Sequence, residues 1–181
     1  GYGKGTVTVV NKGQFDSPLG NYNIAYARND GIHDNDGYPP CIIGMNGGEG
    51  LVTVSGEGSL YRALQGKTYI GGISRDQVPI FVRSPNRYKS WEPVGWVEAL
   101  KGTAQGKLVI DGGKAQFSRG LELGADGTGV LEIVGSASTV TITRDLVLKD
   151  ATDEGGAAKA GASVLRWTAK ADGQFSPITL A

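Results

Sequence analysis

A chain of 181 residues is long enough for one domain, or one long stack of repeats, with a real core. Eighteen basic residues balance eighteen acidic ones, so no electrostatic footprint favours nucleic acid or an anionic membrane. Thirty glycines without a Gly-X-Y period exclude collagen, no apolar run is long enough for a membrane span, and the single cysteine, Cys41, excludes an internal disulfide or a multi-cysteine zinc site.

Val, Ile, Leu and Thr are frequent among those glycines, the balance of many short strands joined by glycine turns. The start, GYGKG, carries neither an initiator Met nor a signal peptide, as in a processed form or a fragment. Cys41 reads as a packed small apolar residue, with an intermolecular bridge or a reactive thiol as the alternatives.

From the first residues onward the pattern is period two. In GTVTVV, Val7 and Val9 share a face; Asn11-Lys12-Gly13 turns the chain; Gln14-Phe15 is a second short run; Tyr22, Ile24 and Tyr26 alternate in a third. Together they read as a first rung. Residues 27–40, ARNDGIHDNDGYPP, break the pattern as a surface loop. Cys41 to Gly44 returns to a strand, and a second rung follows, with Val52 and Val54 alternating, then Leu60, then Thr68-Tyr69-Ile70-Gly71.

Residues 72–105 form the largest excursion. Two short strands are expected in it, around Val78–Val82 and Val94–Leu100, with Pro79 confining the first to an edge. A third rung starts at Gly106, pairing Leu108 with Ile110, then Phe117, then Leu121 with Leu123. The fourth and least interrupted is Gly129 to Lys149, where Leu131 and Ile133, Val140 and Ile142, and Leu146 and Leu148 form three inward pairs joined by turns too short for a helix. Ile110 to Ile133 is 23 residues, Leu123 to Leu148 is 25 and Ile43 to Ile70 is 27, spacings that fit one coil with small turn insertions. Residues 151–162 are a flexible polar connection to the strands around Val164–Thr168 and Ile178–Leu180. The expected fold is a single all-β domain over residues 1–181, a β-solenoid of four to five rungs with two long loop insertions. A strand at the end of such a stack is an aggregation hazard unless something pairs with it or covers it, which favours a fragment or an end-to-end contact over an isolated monomer.

The units CIIGMNGGEGLVTVSGEGSL, YIGG and RGLELGADGTGVLEIVGSASTVTITRDLVLKD resemble the glycine-rich β-strand repeats of large secreted bacterial proteins, namely autotransporter-associated β-strand repeats and related surface proteins of planctomycetes. The shared hallmark is a strand ending in Ile or Leu and Gly, a glycine-rich turn, then Gly-x-Leu/Val-x-Val/Ile. VLRWTAKADGQFSPITL looks like the segment that follows such repeats. The resemblance covers about two thirds of the chain. It implies a right-handed parallel β-helix, a secreted or cell-surface location and a passenger, stalk or fibre role. Two features depart from it: the long loops, and Lys149, which stands where glycine ends the other rungs.

Candidate chemistry gathers in the excursions. Asp30, Asp34 and Asp36, with Asn35 and Gly37, form the densest oxygen-ligand cluster and point to calcium, the one cofactor the sequence suggests. The EF-hand spacing fails, however, because positions 1 and 12 would be Ile32 and Ile43, and a solvated turn-rich loop is the better reading, so no cofactor is expected. His33 lacks a second histidine to support a transition-metal site. Phe81, Arg83, Arg87, Tyr88, Trp91 and Trp96 make an aromatic and basic loop with three readings: a cover folded back on the stack, a subunit contact, or a platform for sugar rings. Glu122 and Glu132 on neighbouring rungs alternate outward and could stack, with Arg119 and Arg144 as neighbours, although two such glutamates on a solenoid face are usually just solvated.

No GxSxG, HExxH or P-loop string occurs, so the expected protein is not an enzyme. It is expected to be an extracellular structural subunit of a surface layer, fibre or filament. Its partners would be copies of itself or other cell-surface proteins, with no nucleic acid and no membrane span. The rival expectation is a carbohydrate-binding module or a polysaccharide-processing β-helix protein.

Overall fold

The computed structural model describes residues 3–17, 41–44, 47–64, 66–72, 77–83, 91–98, 100, 102–149, 163–169, 174 and 176–181, and of Ser17, 77–83 and 91–97 it describes the backbone alone. Among these residues there is no helix. The first coil consists of β1 (Lys4–Val9), β2 (Gln14–Ser17) and β3 (Cys41–Ile43), and the second of β4 (Glu49–Ser55), β5 (Leu60–Ala63) and β6 (Thr68–Ile70). A ribbon of β7 (Gln77–Arg83) and β8 (Trp91–Glu98) intervenes. The third coil is β9 (Ala104–Asp111), β10 (Lys114–Phe117) and β11 (Leu121–Leu123), and the fourth β12 (Gly127–Val134), β13 (Thr139–Ile142) and β14 (Leu146–Leu148). A fifth is begun by β15 (Ser163–Thr168) and β16 (Ile178–Leu180).

Corresponding strands of successive coils pair in parallel, in three sheets. Sheet A runs β1-β4-β9-β12-β15, sheet B runs β2-β5-β10-β13-β16 and sheet C runs β3-β6-β11-β14. This is the stacking that a β-solenoid requires. The register carries the three spacings read from the sequence, since Ile110 pairs with Ile133, Leu123 with Leu148 and Ile43 with Ile70. The third strand of the first coil is β3, ending at Ile43 as expected, and the alternating run Tyr22–Tyr26 lies outside the described residues.

Because side chains alternate along a strand, the register builds continuous inward columns. Sheet A contributes Val7-Val52-Leu108-Leu131-Leu165 and Val9-Val54-Ile110-Ile133-Trp167. Sheet B contributes Phe15-Tyr61-Ala115-Val140-Ile178, so Tyr61 and Ala63 of β5 face inward and Leu60 does not. Sheet C contributes Ile43-Ile70-Leu123-Leu148. The columns meet in one apolar cluster. Each fully buried Leu or Ile there contributes roughly 1.5–3 kcal/mol. Tyr61 is the one large polar-tipped side chain inside. It stacks on Phe15 at 5.8 Å and meets Phe117 at 6.0 Å. Its hydroxyl lies 2.9 Å from the Sγ of Cys41, which is half-buried against the core.

The corner between sheet C and the next strand of sheet A explains the glycine hallmark. Gly44, Gly71 and Gly124 end their strands with φ of 77°, 85° and 74°, where L side chains are strained. The in-register glycines that follow lie against strand-end backbone of earlier coils. A Cβ on Gly129 would fall 2.0 Å from the Ile70 carbonyl oxygen, and one on Gly106 would fall 2.1 Å from that of Ile43. Backbone hydrogen bonds close each turn, from Gly71 N–H to Ile43 O and from Gly124 N–H to Ile70 O.

At the fourth coil both glycines are replaced together. Lys149 stands in the first position without a positive φ, and Ser163 continues the column of Gly129. The Ser163 hydroxyl reaches the carbonyls of Leu123, at 2.8 Å, and Lys149. The regular stack therefore changes character where Lys149 departs from the pattern.

Candidate functional site

Two features stand outside the repeat: the antiparallel ribbon and the exposed end of the last coils. The ribbon leaves the stack after Gly72 and returns at Ala104, at the corner between sheet C and sheet A. Its base is tied down by Asp126, a buried carboxylate on the next turn of the stack. Asp126 Oδ1 accepts a hydrogen bond from the Gly102 N–H at 3.2 Å, while its own N–H donates to Gly71 O at 3.1 Å.

Within the ribbon the register decides which residues share a face. Pro79 pairs with Trp96, Phe81 with Pro93 and Arg83 with Trp91, and the pairing shifts between Ile80 and Phe81. Trp91 and Trp96 are five residues apart, which in a regular strand puts them on opposite faces. The shift passes over Val94 as one extra residue and reverses the alternation. Phe81, Arg83, Trp91 and Trp96 therefore occupy register positions of a single face. Four of the six residues expected to form this site are thus brought onto one ribbon. Arg87 and Tyr88 lie outside the described residues, as do His33 and the calcium candidates Asp30, Asp34 and Asp36. Among the described residues no group of three or more His, Cys, Asp or Glu is placed to hold a metal ion, and no helix is long and apolar enough to cross a membrane.

At the far end of the stack the inward columns run out into solvent. Leu123, Ile142 and Ile133 are 0% exposed, whereas their next residues in register, Leu148, Leu180 and Trp167, are 52%, 62% and 40% exposed. Trp167 is steadied by a hydrogen bond from Nε1 to Ser176 O at 2.9 Å. At the opposite end Phe15 is 37% exposed. Among the described residues, both ends therefore present apolar side chains beside strands that have no further partner.

The outward faces carry ion pairs across neighbouring strands. Arg62 and Asp16 are paired through two hydrogen bonds of 2.7 and 2.6 Å, and the Arg62 guanidinium, helped by Gln14, holds the Asp16 carboxyl below its ordinary range. Glu132 is likewise held low, first by the hydrogen bond from Lys107 at 2.6 Å and then by the Thr168 hydroxyl, against the opposing effect of burial. Glu122 lies 2.7 Å from Lys67. Glu122 belongs to sheet C and Glu132 to sheet A, so an outward stack of the two glutamates does not form. The carboxylates are on different sides of the stack, and each is neutralised by a lysine.

Sequence reading missed the corner between sheets A and B. Gly13, Ser59, Gly113, Ser138 and Ser176 occupy one register column there, and the three serines are buried. Ser59 Oγ donates to Ser55 O at 2.7 Å, Ser138 Oγ lies 2.7 Å from Val134 O, and Ser176 Oγ donates to Gly135 O at 3.0 Å. The available signal was a small residue directly before each second strand. Comparison with protein-family models, curated proteins and solved structures finds no match for this chain.

Proposed function

We propose that this chain is a non-catalytic structural subunit of an extracellular assembly, a right-handed parallel β-helix joined to its neighbours through the ends of the stack. Right-handedness is the near-universal sense of crossover between parallel strands of one sheet. The supporting observation is the passage from full burial to 52–62% exposure between Leu123 and Leu148 and between Ile142 and Leu180, on strands that have no further partner among the described residues. The edge of such a strand is a template for further strands, and natural proteins cover, twist or charge edges that must stay alone. The secreted, cell-surface setting follows from the resemblance of the repeat.

The test is sedimentation velocity over a range of concentrations. The wild-type chain forms species larger than 18.8 kDa as concentration rises. Leu148→Lys combined with Leu180→Lys holds it at that mass. A wild-type chain that stays monomeric throughout contradicts the proposal.

A second reading is supported by the single-face register of Phe81, Arg83, Trp91 and Trp96. Aromatic residues in a row offer flat surfaces to sugar rings, and an arginine beside them adds hydrogen bonds to hydroxyls or carboxylates. On this reading the ribbon binds polysaccharide while the stack holds it out.

A further inference from the structure

The glycine column that brings sheets A and C together inside the stack has a counterpart on the outer surface. A Cβ on Gly106 would meet the Ile43 carbonyl oxygen at 2.1 Å, and one on Gly50 would meet the Gly44 nitrogen at 2.4 Å. Sheet A therefore lies tight against the corner along this line. On the outside, Gly5, Gly50 and Gly106 help to line an open groove of about 360 Å³. Two outward columns form its banks. Lys4-Glu49-Gln105-Thr128 is polar throughout. Thr6-Leu51-Lys107-Val130 carries the aliphatic surface. Leu51 is 37% exposed although β4 is paired on both sides. The groove crosses β1, β4, β9 and β12 along the stack axis, so its groups recur every ~4.8 Å.

We infer that this groove holds a linear, uncharged polysaccharide lying along the stack. Its occupant must be long and repetitive, because the same two banks recur strand after strand. One bank supplies donors and acceptors for hydroxyls, and the other an aliphatic surface for the C–H faces of sugar rings. The charges are matched within the protein: Lys4 lies 2.7 Å from Glu49, and Lys107 lies 2.6 Å from Glu132. Lysines already paired in this way leave no net charge to attract an acidic polymer. Thr6, Gln105 and Thr128 complement neutral hydroxyls instead.

Gln105 directly follows Ala104, where the ribbon rejoins the stack, so groove and ribbon base meet at one corner. The inference rests on the reading of the ribbon as a polysaccharide-binding element. It adds the class of polymer and the course the chain takes, with ribbon and groove contributing to one site.

The test is isothermal titration calorimetry of the whole protein with cellohexaose, laminarihexaose and mannohexaose, and with hexagalacturonate as the acidic counterpart. At least one neutral hexasaccharide is expected to bind saturably, with an affinity that added salt leaves unchanged, and hexagalacturonate is expected not to bind. Leu51→Asp and Gln105→Ala each weaken binding about fivefold or more. Val109→Thr, on the outer face of sheet A but away from the groove, retains it. Circular dichroism shows all three variants folded. No binding of any neutral hexasaccharide, or binding of hexagalacturonate in their place, overturns the inference. If replacing residues 73–103 with a short connection abolishes binding while Leu51→Asp and Gln105→Ala leave it unchanged, the groove falls and the ribbon reading stands. If the groove variants lose binding while the ribbon replacement keeps it, the groove stands and the ribbon reading falls.

Discussion

Gly129 and Gly5 occupy the same register column of sheet A, yet their surroundings differ completely. A Cβ at Gly129 would sit 2.0 Å from the Ile70 carbonyl oxygen, whereas one at Gly5 would meet nothing within 4 Å. Gly129→Ala must therefore push adjacent coils apart, and it is expected to cost about 3 kcal/mol or more, visible as a large drop in melting temperature. Gly5→Ala is expected to stay within about 0.5 kcal/mol of wild type. Equal effects would remove the close approach of backbones as the reason for the glycine pattern. The glycines were plain in the sequence; their pairing across coils was not, because long insertions separate them along the chain. The serine column at the other corner was hidden for a related reason. A lone serine in a turn has many explanations, and only the register shows Ser59, Ser138 and Ser176 capping carbonyls at the same place.

Charge at the residue scale gives a second expectation. The Glu132 carboxyl is held below its ordinary range in the folded chain, chiefly by Lys107 and next by Thr168. A carboxyl with a lower pKa folded than unfolded adds stability that is fully present above the unfolded value, about pH 4.3. That contribution is lost as pH falls through the folded value. Asp16, held down by Arg62, acts with the same sign. Urea midpoints measured from pH 7 down to pH 3 should fall less steeply for Glu132→Gln than for wild type. Parallel slopes would show that the Lys107 contact does not matter to folding.

At the scale of elements, the inserted ribbon is separable from the stack that carries it. Between the second and third coils the chain makes a long excursion from Gly72 to Ala104, while between the third and fourth the equivalent corner is spanned by Gly124, Ala125 and Asp126 alone. Replacing residues 73–103 with a connection of that short kind should leave a cooperative unfolding transition and the β-sheet circular dichroism intact. It should also abolish any binding on a polysaccharide array. Loss of the fold would instead make the ribbon part of the core. The two strands of the ribbon were expected within a few residues of where they lie, since Val78–Val82 and Val94–Leu100 alternate. The common face of Trp91 and Trp96 could not be expected, because it depends on one extra residue at Val94 that period-two counting does not register. Likewise the sequence left the face of Leu60 unassigned, because in a four-residue strand either parity is open. Pairing with Phe15 and Ala115 gives the inside to Tyr61.

For the whole molecule, the spacings of 23, 25 and 27 residues were legible because they are short enough to survive between insertions, and they carry the parallel register directly. A stack of Glu122 on Glu132 fails because a coil has three sides. Neighbouring rungs in sequence do not place residues of different sheets together. The side of the stack on which each insertion emerges was equally invisible without the sheet order. That order puts the point where the ribbon leaves at the corner between sheets C and A. The proposed role was suggested in the sequence only through the architecture. The exposed Leu148, Trp167 and Leu180 now give the end of the stack definite residues.

The central claim is that the stack is extended through its ends, so that its strands lie across the long axis of the assembly. Electron microscopy of the purified chain at high concentration, with fibre diffraction from aligned samples, tests this most directly. Filaments one stack wide with a reflection near 4.8 Å along the fibre axis are the predicted result, because that spacing is the distance between hydrogen-bonded strands. Discrete monomeric particles, or filaments with the 4.8 Å reflection perpendicular to the axis, would contradict it.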